Sequence, residues 1–177
     1  MKWTPAIGAR AAVARLGEIE ALRQLCELLS GDVSTVEIVD DPWNELIADI
    51  AGSPAAWVQE SDRRIYWPRA WAARALCYVG DVSATAPLVD ATRDEHWRVR
   101  MNSVRALGII GDAGTEMAVT AASRDANPRV RAAAATALGS LGGVDAYDLL
   151  TRLVADPDAR VVARAEVALE RLARYEV

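Results

Sequence analysis

From residue 66 onward the apolar positions fall into blocks at helical spacing, separated by short polar turns built on Gly, Asp and Asn. In one block Val99, Val104, Leu107 and Ile110 share a face and Gly111 follows, which predicts a helix from Trp97 to Ile110. A shorter helix is expected after each Gly-Asp or Gly-Gly turn, from Ala113 to Ala122 and from Val144 to Val154. Asp94 and Asp125 stand where the helix-start turns belong. No stretch sustains the two-residue alternation of a half-buried strand, so the expected class is all-α.

The blocks repeat. Leu76, Leu107, Leu138 and Leu169 are 31 residues apart, and Ala75, Ala106, Ala137 and Ala168 precede them. The same shift carries Gly80 onto Gly111 and Gly142, Asp94 onto Asp125 and Asp156, Arg98 onto Arg129 and Arg160, and Arg69 onto Arg100 and Arg131. A fixed period of this length marks a stack of helix pairs, each pair unable to bury its apolar face alone. A shift of 63 aligns Ala12, Val13, Leu16 and Gly17 with Ala75, Leu76, Val79 and Gly80, which makes residues 1–30 a first repeat. Residues 31–65 are irregular and read as a divergent repeat or insertion, with helices near Pro42 to Ala51 and Pro54 to Ser61. Residues 66–155 then hold three regular repeats, and residues 156–177 a capping helix whose polar face carries Arg160, Arg164, Glu166, Glu170 and Arg171. The whole chain, 1–177, is expected to form one domain.

The run Asp125-Ala126-Asn127-Pro128-Arg129-Val130-Arg131, followed by Ala132 to Gly139, resembles the short HEAT-type repeats of phycobilin lyases, as does Asp94 to Arg100 with Val104 to Gly108. The resemblance implies a right-handed α-solenoid of about five HEAT-type helix pairs. It also implies that Arg69, Arg100 and Arg131, with Asp94, Asp125 and Asp156, form a structural ladder in which guanidinium groups tie the turns of neighbouring repeats. Val162 takes the ladder position in the last unit. Repeats of this type serve as scaffolds, adaptors, chromophore-lyase subunits and nucleic-acid binders, so the function must be read from surfaces.

Charge divides the molecule. The expected first helices, 66–79, 97–110, 128–141 and 159–172, hold ten arginines and two acids, whereas the intervening segments 81–95, 112–127 and 143–156 hold ten acids and three arginines. The row Arg98, Arg129, Arg160 suits an acidic partner, and Asp90, Glu116 and Asp148 on the second helices mark a rival acidic surface. A net charge of −5 argues against a general nucleic-acid binder. So do the acidic second helices, which normally line the concave side of such solenoids.

The chain has six tryptophans, four tyrosines and no phenylalanine. Shifting Trp67 and Trp71 by one or two periods lands on Arg98 and Arg129 and on Asn102 and Ala133, positions expected to face solvent. Two large rings there need a cover. One reading supplies it from residues 31–65, with Trp43 and Trp57; the other makes Trp67, Trp71, Trp97, Arg98 and Arg129 the contact for another protein or a second copy of the chain.

Catalytic chemistry finds little material. His96 is the only histidine and sits in a turn, so the paired His and Glu ligands of HEAT-repeat di-iron hydroxylases are missing and neither a metal nor a cofactor is expected. Trp97, Arg98 and Asp94 resemble a fragment of the HEAT-like DNA glycosylase pattern without its basic channel, and no chromophore pocket is evident for lyase chemistry. Cys26 and Cys77 lie within apolar helical patterns, which suits reduced thiols in the cytoplasm. The N-terminus lacks a signal-peptide core, and no apolar run reaches the length of a membrane span. The expected function is a non-enzymatic protein-interaction module.

Overall fold

The computed structural model describes residues 2–31, 43–52, 66–143 and 145–174. Helices α1 (Pro5–Leu16) and α2 (Glu18–Ser30) form the first pair, followed by α3 (Trp43–Ala51). Then come α4 (Trp67–Val79) with α5 (Thr85–Ala91), α6 (Trp97–Ile110) with α7 (Glu116–Ala122), and α8 (Pro128–Leu141) with α9 (Ala146–Leu153). Helix α10 (Ala159–Ala173) follows, and no strand occurs among the described residues. The chain is an α-solenoid.

Local chemistry sets these boundaries. Helices α6, α8 and α10 begin on His96, Asn127 and Asp158, whose side chains accept from the backbone N–H two residues on, at Arg98, Arg129 and Arg160. Asp94, Asp125 and Asp156 sit two residues before these caps and accept the N–H of His96, Asn127 and Asp158 at 2.7, 2.8 and 2.9 Å. They therefore build the turn into the helix, where the sequence places them, and the cap itself is the residue two positions later. Gly111 ends α6 at φ +77°, a left-handed position suited to glycine. The expected helix from Ala113 is a 3₁₀ turn, Ala113–Thr115, leading into α7; Asp112 accepts the Gly114 N–H at its start.

The first helices α4, α6, α8 and α10 stack in succession, each also packing on the neighbouring second helix. Small residues allow the closest approach: a Cβ on Gly108 would lie 2.6 Å from that of Ala137, and one on Gly139 2.6 Å from that of Ala168. Cys77 occupies the equivalent place in α4 and directs its thiol to the carbonyls of Ala73 and Asn102. Leu76, Leu107 and Leu138 are fully buried and Leu169 on α10 is half-buried, so the 31-residue leucine row is the spine of the core.

At the N-terminal end α2 packs directly on α4 and α5, and α3 lies against α1 and α4. Arg15 joins α1 to α3 through Glu45 at 2.9 Å and Asp49 at 3.0 Å, while the Trp3 indole donates to the Asp49 carbonyl at 3.2 Å. The second helix expected near 54–61 lies outside the described residues.

Candidate surface of stacked aromatic and guanidinium groups

Five first-helix residues singled out by repeat comparison, Trp67, Trp71, Trp97, Arg98 and Arg129, lie in one continuous stack. The Trp71 and Trp67 rings are 5.6 Å apart between centroids; Tyr66 stacks on Trp67 at 5.1 Å and on His96 at 3.2 Å, and His96 faces Trp97 at 5.8 Å. The Arg98 guanidinium carbon lies 5.1 Å from the Trp67 centroid and 4.3 Å from that of Trp97, and that of Arg129 lies 4.9 Å from Trp97. Each cation over an indole face gains about 0.5–1 kcal/mol when exposed, more when water is excluded. Arg98 also donates to the Tyr66 hydroxyl at 3.3 Å.

The ring pair corrects one expectation. Trp71 is 7% exposed, as are Asn102 and Ala133 one and two periods on, so this position belongs to the core between first helices instead of facing solvent. Asn102 is tolerated there because its amide donates to the Ala70 carbonyl at 3.1 Å, which satisfies the buried polar group. At the other position the row grades outward: Trp67 and Arg98 are half-buried and Arg129 is exposed. Of the two rings, Trp67 is the one with a surface to offer. The alternative cover, residues 31–65, includes 32–42 and 53–65, which lie outside the described residues.

The arginines two positions further along each helix sit quite differently. The Nε atoms of Arg69, Arg100 and Arg131 each donate to Asp94, Asp125 and Asp156 of the following turn at 2.7 Å. Arg100 and Arg131 add a second bond to the same carboxylate, at 2.9 and 2.8 Å, and reach back to the carbonyls of Asp94 and Asp125 at 2.9 Å. Arg69 instead meets Glu95 at 3.3 Å. The Arg131 guanidinium holds the Asp156 carboxyl below its usual range. Burial pushes Asp125 upward, but Arg100 and the Asn127 N–H together outweigh it and hold it low as well.

The capping row explains which charges stay available. At 31-residue spacing it reads His96, Asn127, Asp158, two neutral caps and then a charged one. Asp158 caps α10 and also binds the Arg160 guanidinium at 2.8 Å, which pulls its carboxyl down to about 2. Neither Arg98 nor Arg129 meets a carboxylate among the described residues. His96 is held below its ordinary value first by burial and then by the Arg98 charge, and its Nδ1 accepts the Arg98 N–H at 3.2 Å. Tyr66, His96 and Asp158 thus adjoin this surface although repeat comparison did not mark them; the 31-residue alignment of the caps carried the signal for His96 and Asp158, and nothing in the period marked Tyr66.

The rival acids are dispersed. Asp90 and Asp148 are exposed, and the Glu116 carboxylate lies against Gly143, but the 31-residue shift places them in three different rows. Met117 and Tyr147 stand exposed among them. The thiols are poor nucleophiles: burial raises Cys77 to about 11 and also raises Cys26, which lines a hollow of about 690 Å³ with Leu22, Asp81 and Pro87. No group of acids, histidines and cysteines suited to a metal occurs among the described residues, and no described helix is long and apolar enough to cross a membrane.

Comparison with known proteins places the architecture. A search of curated proteins finds no match. Among solved structures, an engineered protein is similar over 97% of this chain and 98% of its own, with a TM-score of 0.57 at 18% identity. A designed armadillo repeat protein is similar over 96% of this chain and 100% of its own, with a TM-score of 0.52 at 18% identity. Another, solved in complex with the peptide (KR)4, covers 96% of this chain and 99% of its own, with a TM-score of 0.54 at 16% identity. Residues 55–116 and 113–170 match the family model of HEAT repeats, and the chain belongs to that family.

Proposed function

We propose that the protein is a non-enzymatic interaction module that docks another protein on the first-helix face formed by Trp67, Tyr66, Trp97, Arg98 and Arg129. The observation that carries this reading is the pair of guanidinium groups, Arg98 and Arg129, laid on indole rings with no carboxylate partner among the described residues. Tryptophan and arginine dominate interaction hot spots because they combine large apolar area with directed donors. The closely stacked scaffold holds them in place before binding, which lowers the ordering cost of association. A designed armadillo solenoid of similar fold holds a peptide, which supports peptide docking as a use of this shape. The acids Asp90, Glu116 and Asp148 form no continuous row and are the weaker choice. The 31-residue period is the feature by which the repeats resemble the short phycobilin-lyase type. Unpaired, half-buried Cys26 and Cys77 fit a reducing cytoplasm.

The test is capture from a lysate of the native source, comparing the wild type with Trp97→Ala/Arg98→Ala and with Glu116→Gln/Asp148→Asn. A protein lost only from the first variant supports the reading. Loss only from the second, or identical eluates from all three, overturns it. Trp71→Ala is unsuitable because it removes core.

A further inference from the structure

We propose that the occupant of this face is an acidic peptide segment of the partner, its carboxylates held by Arg98 and Arg129 with Trp97 between them. The proposal rests on the docking reading above and adds the chemistry of what docks.

Among the described residues the two cations lack an acidic partner. All three ladder arginines are matched by a turn aspartate, and Arg160 is matched by its own cap, Asp158. Arg98 and Arg129 share the helical register of Arg160, but their caps are His96 and Asn127, which satisfy the helix N-terminus without supplying a negative charge. Along this row the cations without a carboxylate partner among the described residues are therefore Arg98 and Arg129, on two adjacent repeats. Trp97 carries both guanidinium carbons over its ring, at 4.3 and 4.9 Å, and no carboxylate among the described residues takes up their N–H donors, which suits an incoming anion. The available donors fit a carboxylate with two-point geometry, and the indole between them offers apolar contact to the peptide chain.

Nucleic acid fits less well. Affinity for a phosphate backbone grows with the number of cations that replace counterions. Here the row is two cations long, closed on one side by Trp67 and on the other by the Asp158–Arg160 pair, on a chain of net charge −5. A short acidic peptide needs no longer row.

Asp158 also supplies a gain-of-binding test. Asp158→Asn keeps a side chain able to cap α10, as Asn127 caps α8, and releases Arg160 to extend the row. The experiment measures fluorescence anisotropy of labelled octaglutamate with the purified full chain at near-physiological salt, with a (KR)4 peptide and an oligothymidylate as comparisons. Expected is saturable binding of octaglutamate, weakened about tenfold or more by Arg98→Gln/Arg129→Gln, changed less than about twofold by Arg160→Gln, and tightened about threefold by Asp158→Asn. Failure of octaglutamate to bind, equal binding by the double variant, or no gain from Asp158→Asn overturns the proposal. Tighter binding of oligothymidylate, falling steeply with salt, assigns the face to nucleic acid instead. Should octaglutamate fail while the captured protein is still lost from Trp97→Ala/Arg98→Ala, the docking face stands and the acidic occupant is rejected; should both fail, the docking reading falls with it.

Discussion

Arg98 and Arg100 lie two residues apart on α6, as Arg129 and Arg131 do on α8, yet the two rows have opposite fates. Arg100 and Arg131 are drawn into the seam between repeats, where a turn aspartate 25 residues later accepts both ends of the fork. Arg98 and Arg129 point the other way around the helix, onto aromatic rings. What separates them is where the helix register places them and what the next turn supplies. One row ties neighbouring repeats together, and the other lies on ring faces with no carboxylate partner among the described residues.

The largest expected effect contrasts the two rings that begin the stacked row. Trp71→Ala opens a cavity between first helices and lowers stability by about 4 kcal/mol, whereas Trp67→Ala, at a half-buried position, costs about 1 kcal/mol. Urea unfolding followed by circular dichroism measures both. Equal losses would show that Trp67 is as much core as Trp71.

Next in size is the contrast between the arginine rows. Arg100→Ala leaves Asp125, whose side chain is 11% exposed, without its partner, and frees the carbonyls of Asp94 and Glu95. The expected cost is about 3 kcal/mol, a fall of roughly 10 °C in Tm. Arg98→Ala gives up contacts over ring faces and costs about 1 kcal/mol. A thermal melt that ranks them the other way would make the stacked row the structural one.

The fold was legible because its period is written in the leucines, alanines and turn residues, each with a local physical job. The ladder residues recur at a fixed spacing, but spacing alone did not pair them: the bond from each Nε to an aspartate 25 residues later is visible only in the structure. Burial at the Trp71 position was not: Asn102 looks like a surface residue, and only the Ala70 carbonyl facing its amide makes it a core one. The fate of each arginine also escaped the sequence, because Arg160 matches Arg98 and Arg129 in register and differs only through the charge of a cap two residues earlier. A histidine in a turn looks incidental until its ring is found stacked on Tyr66 and its Nδ1 on a helix N-terminus.

Acid sharpens the comparison further. Asp125 and Asp156 titrate below the ordinary carboxylate value in the folded protein, so their pairs contribute stability above about pH 4, lost as the pH falls through the folded values. Melting temperature should drop between about pH 5 and 3, and the drop should be smaller in Asp156→Asn, which is already less stable at neutral pH. The smallest effect belongs to His96. Its folded value is also depressed, so protonation favours the unfolded chain, and stability declines as the pH falls below about 6.5. His96→Asn keeps a cap and removes this slope between about pH 7 and 5; an unchanged slope would place its origin elsewhere.

The most direct test of the division between the two rows is the arginine Nε–Hε correlation spectrum of the protein during titration with octaglutamate. Expected are progressive shifts of the Arg98 and Arg129 resonances while those of Arg100 and Arg131 stay fixed in their aspartate pairs. Shifts confined to the ladder arginines, or the same shift in both rows, would contradict the division of binding from structure.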